Sequence, residues 1–137
     1  GVEDPRITKI NDRYYMTYVA LSKLGNISTN LASSHDCLSW KRLGTIFEEQ
    51  NKDVVLFPEK INGRYFSLNR PEGNFRFSLP HIWVSNSKDL IHWGEHSQII
   101  LSANAAWDSA RLGAGPPADK NQVWMAIDLS WGNAKEF

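Results

Sequence analysis

The sequence contains few of the residues that build disulfides, metal clusters or membrane spans. Its 137 residues include a single cysteine, Cys37, which excludes an internal disulfide and a zinc site made of several cysteines. We interpret that cysteine as a packing residue rather than a nucleophile. No apolar run approaches the roughly 18 residues that cross a bilayer, and the four histidines are scattered. The sequence therefore predicts neither a membrane partner nor a metal site.

An excess of charge of one sign is also missing. Fifteen basic and fifteen acidic residues give a formal net charge of zero, and no basic patch indicates nucleic acid as a partner. Aromatic residues are plentiful by contrast, with six tryptophans and four tyrosines. Such a supply suits an all-β core and sugar-binding surfaces. Because core packing alone would explain it, the aromatic content supports carbohydrate binding only weakly.

The chain repeats itself at intervals of about 50 residues. KINDRY at residues 9–14 matches KINGRY at residues 60–65, and in both copies the central pair is a hairpin-turn signal. Downstream, SHDCLSW at residues 34–40 matches SKDLIHW at residues 87–93. A third copy begins at GAGPP, residues 113–117, with its turn predicted at residues 119–121. The repeats lie near residues 1–53, 54–106 and 107–137.

Repeats of this length, built from about four short strands, are typical of β-propeller blades. We predict an all-β chain of about two and a half blades, with no helix. The clearest strands are predicted at residues 14–21, 27–33, 65–69, 81–85, 98–101 and 123–127. Because so few blades leave faces and edges exposed, we expect a fragment of a longer propeller, or a homo-oligomer or partner that completes the ring. An independent small β domain is the alternative.

The stretch GVEDPRI, residues 1–7, places two carboxylates and a guanidinium around a proline. Pro5 is expected to hold Asp4 in an extended conformation. The simplest interpretation is a turn with a surface ion pair between Asp4 and Arg6. The repeat suggests more, because Asp4, Glu59 and the turn at 113–117 would occupy equivalent blade-entry positions around one pocket on the propeller axis.

That pocket would gather eight charged side chains. Paired carboxylates with arginines suit sugar hydroxyls and acid catalysis at a glycosidic bond. For Lys52 the alternative is a solvated loop lysine. The predicted members are Glu3, Asp4, Arg6, Lys52, Asp53, Glu59, Lys60 and Arg70.

Several of these stretches together resemble glycoside hydrolase family 130. The similarity lies in residues 1–7, in NKDVVLFPEKINGRY at 51–65, in NRP at 69–71, in IWVS at 82–85, in residues 87–93 and in RLGAGPP at 111–117. The resemblance implies a five-bladed β-propeller that acts on β-mannosides. Most family members are inverting phosphorylases and some are hydrolases.

The resemblance also implies roles for individual residues. Asp4 matches the proton donor, which passes its proton through a mannose hydroxyl to the glycosidic oxygen. Lys52 and Arg70 match phosphate-binding positions, and Lys60 is a third predicted phosphate ligand. The predicted substrate-binding residues are Glu3, Arg6, Asp53 and Glu59. DLSWG at residues 128–132 replaces the family's Tyr-His-Gly, so a phosphate-site histidine or tyrosine from that segment is absent.

The predicted reaction is reversible phosphorolysis of a β-mannosidic bond with inversion, which gives mannose 1-phosphate. The expected partners are a β-mannoside oligosaccharide and inorganic phosphate as co-substrate, with no metal or organic cofactor. A β-mannoside hydrolase on the same fold is one alternative, and a non-catalytic, truncated carbohydrate-binding fragment is another. By analogy with the family, the expected location is cytoplasmic.

Overall fold

The computed structural model describes residues 1–48, 50–72, 81–99 and 113–117. These residues form eight β-strands and no helix, which confirms the all-β prediction, and nothing in these ranges could cross a membrane as a helix. The strands are β1 (Val2–Ile10), β2 (Arg13–Leu21), β3 (Ile27–Ser34), β4 (Lys41–Phe47), β5 (Asn51–Leu56), β6 (Tyr65–Pro71), β7 (Trp83–Ser87) and β8 (Trp93–Gln98).

The strands form two antiparallel sheets in which each strand pairs with the next along the chain. The first sheet has the order β1-β2-β3-β4, and the second has the order β5-β6-β7-β8. Two consecutive four-stranded meanders of this kind are what two propeller blades require. The predicted third repeat, including its turn at 119–121 and its strand at 123–127, lies mostly outside the described residues.

The repeated hexapeptides form the tight turns predicted for them. Ile10 pairs with Arg13 across the first turn, and Ile61 pairs with Arg64 across the second. In the second turn Asn62 and Gly63 both have positive φ, 49° and 78°, which asparagine and glycine tolerate better than other residues. The turns therefore follow from local residue chemistry.

Each sheet begins with the same irregularity. The β1–β2 register shifts between Glu3 and Arg6, and the β5–β6 register shifts between Lys52 and Val55. Inside these bulges Asp4 has a φ of 54° and Asp53 has a φ of 52°. The prediction that Pro5 holds Asp4 extended is therefore wrong, because the bulge rotates Asp4 into the left-handed region that aspartate tolerates.

The two sheets pack face to face through an apolar layer. Its buried members are Ile10, Leu31, Ile46 and Phe47 from the first sheet and Val54, Leu56 and Leu90 from the second. Thr8, Thr17 and Thr29 add hydrogen bonds across this layer, since their hydroxyls donate to the carbonyls of Leu56, Val54 and Asn51. Strand β5 is thus held against the middle of the first sheet. We call this side of the first sheet its inner face and the opposite side its outer face.

Some predicted strands need correction. Strands β2, β3 and β6 contain the predicted segments 14–21, 27–33 and 65–69, whereas β7 begins two residues later than predicted, at Trp83. Residues 100–101 of the segment predicted at 98–101 lie outside the described residues, and Ile99 is not in a strand. The last strand of this sheet, β8, spans Trp93–Gln98 and shares only Gln98 with the prediction. It is largely exposed at the sheet edge, so it lacks the alternating apolar pattern by which a half-buried strand is recognised.

Candidate active site

A chain of alternating charges begins at the first bulge. Arg6, on β1, places Nη1 2.8 Å from Asp4 Oδ2 and Nη2 3.0 Å from Asp53 Oδ1. One arginine therefore holds the aspartates of both bulges, although Arg6 and Asp53 are 47 positions apart. The simple surface ion pair between Asp4 and Arg6 does form, but it is one end of a larger network.

The network continues into the second sheet. Arg70, on β6, places Nη1 2.7 Å from Asp53 Oδ2, so Asp53 binds one arginine with each carboxylate oxygen. The other terminal nitrogen of Arg70 lies 2.5 Å from Glu72 Oε1. The Nε of Arg70 is buried and has no hydrogen-bond partner among the described residues. Arg70 is consequently a buried cation that two carboxylates already bind.

Exposure falls along this network. The Asp4 side chain is 46% exposed, the Arg6 and Asp53 side chains 16% and 15%, and the Arg70 and Glu72 side chains 8% and 9%. Buried charges are tolerated only when they are paired and hydrogen-bonded, as Asp53, Arg70 and Glu72 are here. Asp4 is therefore the member best placed to touch a ligand, and the others hold the guanidinium beside it.

The turn at residues 113–117 closes over the same ion pairs. Arg6 Nη2 also donates to the carbonyl of Ala114 at 3.4 Å. A Cβ at position 113 would overlap Asp53 Oδ2 and would lie 3.2 Å from Arg70 Nη1, so only glycine fits without moving the pair. The expectation that this turn converges with Asp4 is confirmed by these contacts.

Lys52 and Glu3 form a more exposed pair beside the network. Their Nζ and Oε1 atoms lie 3.4 Å apart, and the two side chains are 27% and 64% exposed. Lys52 is also the register partner of Arg70, which puts the two cations on neighbouring strands at the same level of the sheet. Lys52 is therefore the cation that an incoming anion reaches more easily.

Glu59 and Lys60 are not part of this cluster. They lie next to the Ile61–Arg64 turn, at the other end of the β5–β6 hairpin from the Lys52–Arg70 pair. Lys60 is exposed and covers the ring of Tyr65 at 4.4 Å, just as Lys9 covers Tyr14 at 5.3 Å in the first hairpin. The predicted equivalence of Asp4 with Glu59 is wrong because Asp53, in the matching bulge, is the counterpart of Asp4.

Sequence reasoning missed Glu72 and the importance of the second bulge. Asn51-Lys52-Asp53 could have been aligned with Val2-Glu3-Asp4, but the second copy has two extra residues between Phe57 and the Ile61–Arg64 turn, so its bulge does not follow the hairpin-turn offset. Glu72 lies two residues beyond Arg70, and its acidic side chain in NRPE was the available signal. Within the described ranges, no cluster of three or more metal-ligating side chains lies close enough to hold a metal ion.

This arrangement can donate a proton and order a polar ligand. A half-exposed aspartate can exchange a proton with a bound ligand, while the guanidinium and the neighbouring lysine bind hydroxyl or anionic groups. Glu3, Asp4, Arg6, Lys52, Asp53 and Arg70 are brought together at one edge of the two sheets.

The chain is similar in sequence and structure to known phosphorylases. Residues 1–128 match the glycoside hydrolase family 130 model, which is described as beta-1,4-mannooligosaccharide phosphorylase. The 1,2-beta-oligomannan phosphorylase of Thermoanaerobacter sp. (strain X514) is 40% identical over 130 residues, which are 93% of this chain and 42% of that protein. A beta-1,2-mannobiose phosphorylase of Listeria innocua is 36% identical over 128 residues, which are 93% of this chain and 36% of that protein.

A solved structure of the Listeria innocua beta-1,2-mannobiose phosphorylase, in complex with beta-1,2-mannobiose, has a TM-score of 0.80 and 37% identity to this chain. The match covers 88% of this chain and 33% of that structure, so the chain spans about a third to two fifths of its relatives' length. The two sheets are accordingly part of a five-bladed β-propeller. The family match over residues 1–128 and the shared fold show that this chain belongs to glycoside hydrolase family 130.

Proposed function

We propose that the protein is a β-mannoside phosphorylase that cleaves a β-mannosidic bond with inorganic phosphate and inverts the anomeric centre. The observation that carries this proposal is the geometry of Asp4. Its half-exposed carboxylate is held at a backbone bulge by Arg6, which Asp53 fixes from the other side. Family membership and the phosphorylase relatives support the choice of reaction.

In the proposed reaction Asp4 supplies the proton. It gives that proton to a mannose hydroxyl, which passes its own proton to the glycosidic oxygen as the bond to the anomeric carbon breaks. A phosphate oxygen forms the new bond to that carbon from the opposite face, so the products are mannose 1-phosphate and the released sugar. General acid catalysis of this kind contributes roughly 10²–10⁴-fold to a rate.

Lys52 is the proposed first contact for phosphate, with Arg70 behind it. Lys52 is partly exposed, whereas both terminal nitrogens of Arg70 bind carboxylates. A dianion that reached Arg70 would have to compete with Asp53 and Glu72, so we assign Arg70 mainly to holding Asp53. Glu3 and Arg6 are the proposed sugar contacts, since they flank Asp4 and retain exposed surface.

Phosphate is the proposed co-substrate and a mannooligosaccharide the proposed partner. Two of the relatives are named for β-1,2-linked mannosides, which makes β-1,2-mannobiose the first substrate to test. The cytoplasmic location implied by the resemblance stays a proposal, to be checked by fractionation of cells that produce the protein.

The test is an assay of phosphate dependence. The purified chain, shown to be folded by circular dichroism, is incubated with β-1,2- or β-1,4-mannobiose, with and without phosphate. We expect mannose 1-phosphate only when phosphate is present, and none from Asp4→Asn. Asp12→Asn is the matched control, because it removes a carboxylate from the exposed β1–β2 turn and should retain activity.

Other products would contradict the proposal in distinct ways. Free mannose formed at the same rate without phosphate would identify a hydrolase. Sugar binding without any product, from a folded chain, would assign this polypeptide a carbohydrate-binding role and not a catalytic one.

A further inference from the structure

Each strand of the second sheet contributes one polar side chain to a row that crosses the sheet. The members are Asn51 on β5, Asn69 on β6, Ser85 on β7 and His96 on β8. Asn51, Asn69 and Ser85 are 9%, 1% and 1% exposed, whereas His96, on the edge strand, is exposed. Buried amides and hydroxyls are costly unless they are hydrogen-bonded, so the members of such a row have to bind one another.

Hydrogen bonds join the four side chains without a gap. Asn51 Nδ2 donates to Asn69 Oδ1 at 3.1 Å, and Asn69 Nδ2 donates to Ser85 Oγ at 2.7 Å. Ser85 Oγ lies 2.7 Å from His96 Nδ1. At the other end Asn51 Oδ1 accepts the backbone N–H of Arg70 at 3.1 Å. We call these four side chains the relay, and it runs from the sheet edge to the main chain of an arginine in the candidate active site.

The backbone N–H of Arg70 fixes the direction of every bond in the relay, because a main-chain N–H can only donate. Asn51 must therefore present its oxygen to Arg70 and its NH₂ group to Asn69. The same rule then applies to Asn69, whose NH₂ group faces Ser85. The Ser85 oxygen accepts that bond, which leaves its hydroxyl proton for His96 Nδ1. His96 is consequently held as the tautomer that carries its proton on Nε2.

Asn51 joins the relay to the candidate active site. It directly precedes Lys52 and Asp53, the residues of the second bulge, and Lys52 is the register partner of Arg70. The main-chain carbonyl of Asn51 also accepts the Thr29 hydroxyl of the first sheet at 2.6 Å. Since its side chain binds Arg70 and its main chain binds Thr29, Asn51 sets the position at which β5 enters the bulge.

We propose that the relay positions Lys52 and Arg70 relative to each other for the binding of phosphate. Its members act through the main chain of Arg70 and the start of β5, so they are positioning residues. A displacement of about 1 Å in a positioning group can cost roughly 10²-fold in rate. The positioning role rests on the proposed function, whereas the direction of the relay rests on the hydrogen bonds alone.

One test reads the direction of the relay from the His96 ring. At about pH 8.5, where imidazole groups are ordinarily neutral, ring-nitrogen NMR chemical shifts of the purified chain should show His96 protonated on Nε2 and unprotonated on Nδ1. Asn51→Asp keeps an acceptor for the Arg70 N–H but can no longer donate to Asn69. The Asn69 amide should then turn and accept the Ser85 proton, so the His96 proton should move to Nδ1.

Asn30→Asp is the matched control for this measurement. Asn30 lies between Thr29 and Leu31, which point to the inner face, so its side chain is on the outer face of the first sheet. It also donates its NH₂ group to a serine hydroxyl, and this substitution should leave the His96 tautomer unchanged. A purely structural role for Asn51 predicts the same tautomer in both variants. That result, or a proton on Nδ1 in the natural chain, would overturn the relay.

A second test separates phosphate binding from sugar binding. Asn69→Leu replaces the central amide of the relay with an apolar side chain of similar size. We expect the KM for phosphate to rise at least about tenfold, while the KM for β-1,2-mannobiose changes less than about twofold. Asn30→Leu should change neither constant. Ser85→Ala removes only the outer part of the relay and should raise the phosphate KM in the same direction, which keeps the test usable if Asn69→Leu does not fold.

The outcomes are distinct from those that test the proposed function. Equal changes in both KM values, or a fall in kcat alone, would assign Asn69 to general stability and overturn the positioning role while phosphorolysis stands. Absence of phosphorolysis in the natural chain would overturn the proposed function and the positioning role together. The His96 tautomers would still decide whether the relay has the stated direction.

Discussion

The two sheets contain the same bulges and turns, but these differ between the sheets in their burial and contacts. Each begins with an aspartate in a bulge, turns at an Asn-containing pair and contains a Ser-x-Asp turn that ends in tryptophan. In the second sheet the turn buries Leu90 between the sheets, whereas the equivalent residue of the first turn, Cys37, is exposed, so its interpretation as a packing residue is wrong among the residues that the structure describes. This difference shows that the local residue pattern determines the conformation of these turns, whereas the neighbouring sheet determines whether their side chains are buried.

The bulge aspartates differ in the same way. Asp4 is half-exposed and pairs with Arg6 alone, among the residues described, whereas Asp53 is largely buried and binds both Arg6 and Arg70. Equivalent backbone positions therefore hold one carboxylate that is free to react and one that organises the arginines.

The largest expected effect separates these two aspartates. We expect Asp4→Asn to lower phosphorolysis by roughly 10²–10⁴-fold while changing stability by less than about 1 kcal/mol, since its ion pair is exposed. Activity assays and urea unfolding of the same preparations test this prediction. Full activity in the variant would show that Asp4 is not the acid.

Asp53→Asn is expected to act chiefly on stability. Removal of this carboxylate leaves Arg70 with one partner fewer in a buried position, which costs about 3 kcal/mol. Urea unfolding should therefore show a much lower midpoint than for Asp4→Asn. If Asp53→Asn were as stable as the natural chain, the ion-pair network would not hold the two sheets together.

The equivalent residues Leu90, which is buried, and Cys37, which is exposed, give the next comparison. Leu90→Ala should lower the free energy of unfolding by about 2–4 kcal/mol, because it removes a fully packed side chain between the sheets. Cys37→Ala, at the equivalent exposed position, should change it by less than about 0.5 kcal/mol in the isolated chain. Equal effects on thermal or urea unfolding would contradict the assignment of these turns.

Substitutions of two glycines in the turn at residues 113–117 should differ less in their effect on stability. Gly113→Ala should destabilise the chain by about 1–2 kcal/mol, since the added methyl group displaces Asp53 from Arg70. Gly115→Ala is the control, because a Cβ there meets nothing within 4 Å. Urea unfolding of both variants checks this prediction, and indistinguishable midpoints would contradict the close contact.

The smallest expected effect is a dependence of folding stability on pH. Backbone N–H groups of Ser39 and Leu38 bind Asp36, together with the Ser34 hydroxyl, and lower the pKa of that carboxyl from 3.8 to about 2. A lowered pKa stabilises the folded state above about pH 3.8 and loses this contribution as the pH falls toward 2. The stability difference between the natural chain and Asp36→Asn should shrink across that window.

Asp89 offers a second measurement of the same turn. The His92 side chain and the backbone N–H groups of His92 and Ile91 lower the pKa of Asp89 as well. Asp89→Asn should therefore also lose stability at neutral pH, and its difference from the natural chain should also diminish in acid. A pH-independent difference for both variants would show that these hydrogen bonds do not favour the ionised carboxylates.

Much of the fold could be predicted from the sequence because its signals are local. The Asn62-Gly63 turn, the repeated Ser-x-Asp segments and the strands on either side depend on residues close together in the chain. The exposed edge strand β8 was predicted only at its last residue, Gln98, since no alternating apolar pattern marks it. Glu59 was placed in the pocket because two extra residues between Phe57 and the Ile61–Arg64 turn altered the spacing between equivalent residues.

The sequence by itself determined the hairpin turns, the repeat and the family, and it identified Asp4, Arg6 and Lys52 as candidates. Only the tertiary structure decided that Asp53 joins Arg6 to Arg70, because Arg6 lies on the first sheet and the other two on neighbouring strands of the second, 47 and 17 positions apart in the chain. It also decided that Leu90 is buried while Cys37 is exposed. Local hydrogen bonds make the two turns alike, but burial depends on which sheet lies opposite, and that is a property of the packed molecule.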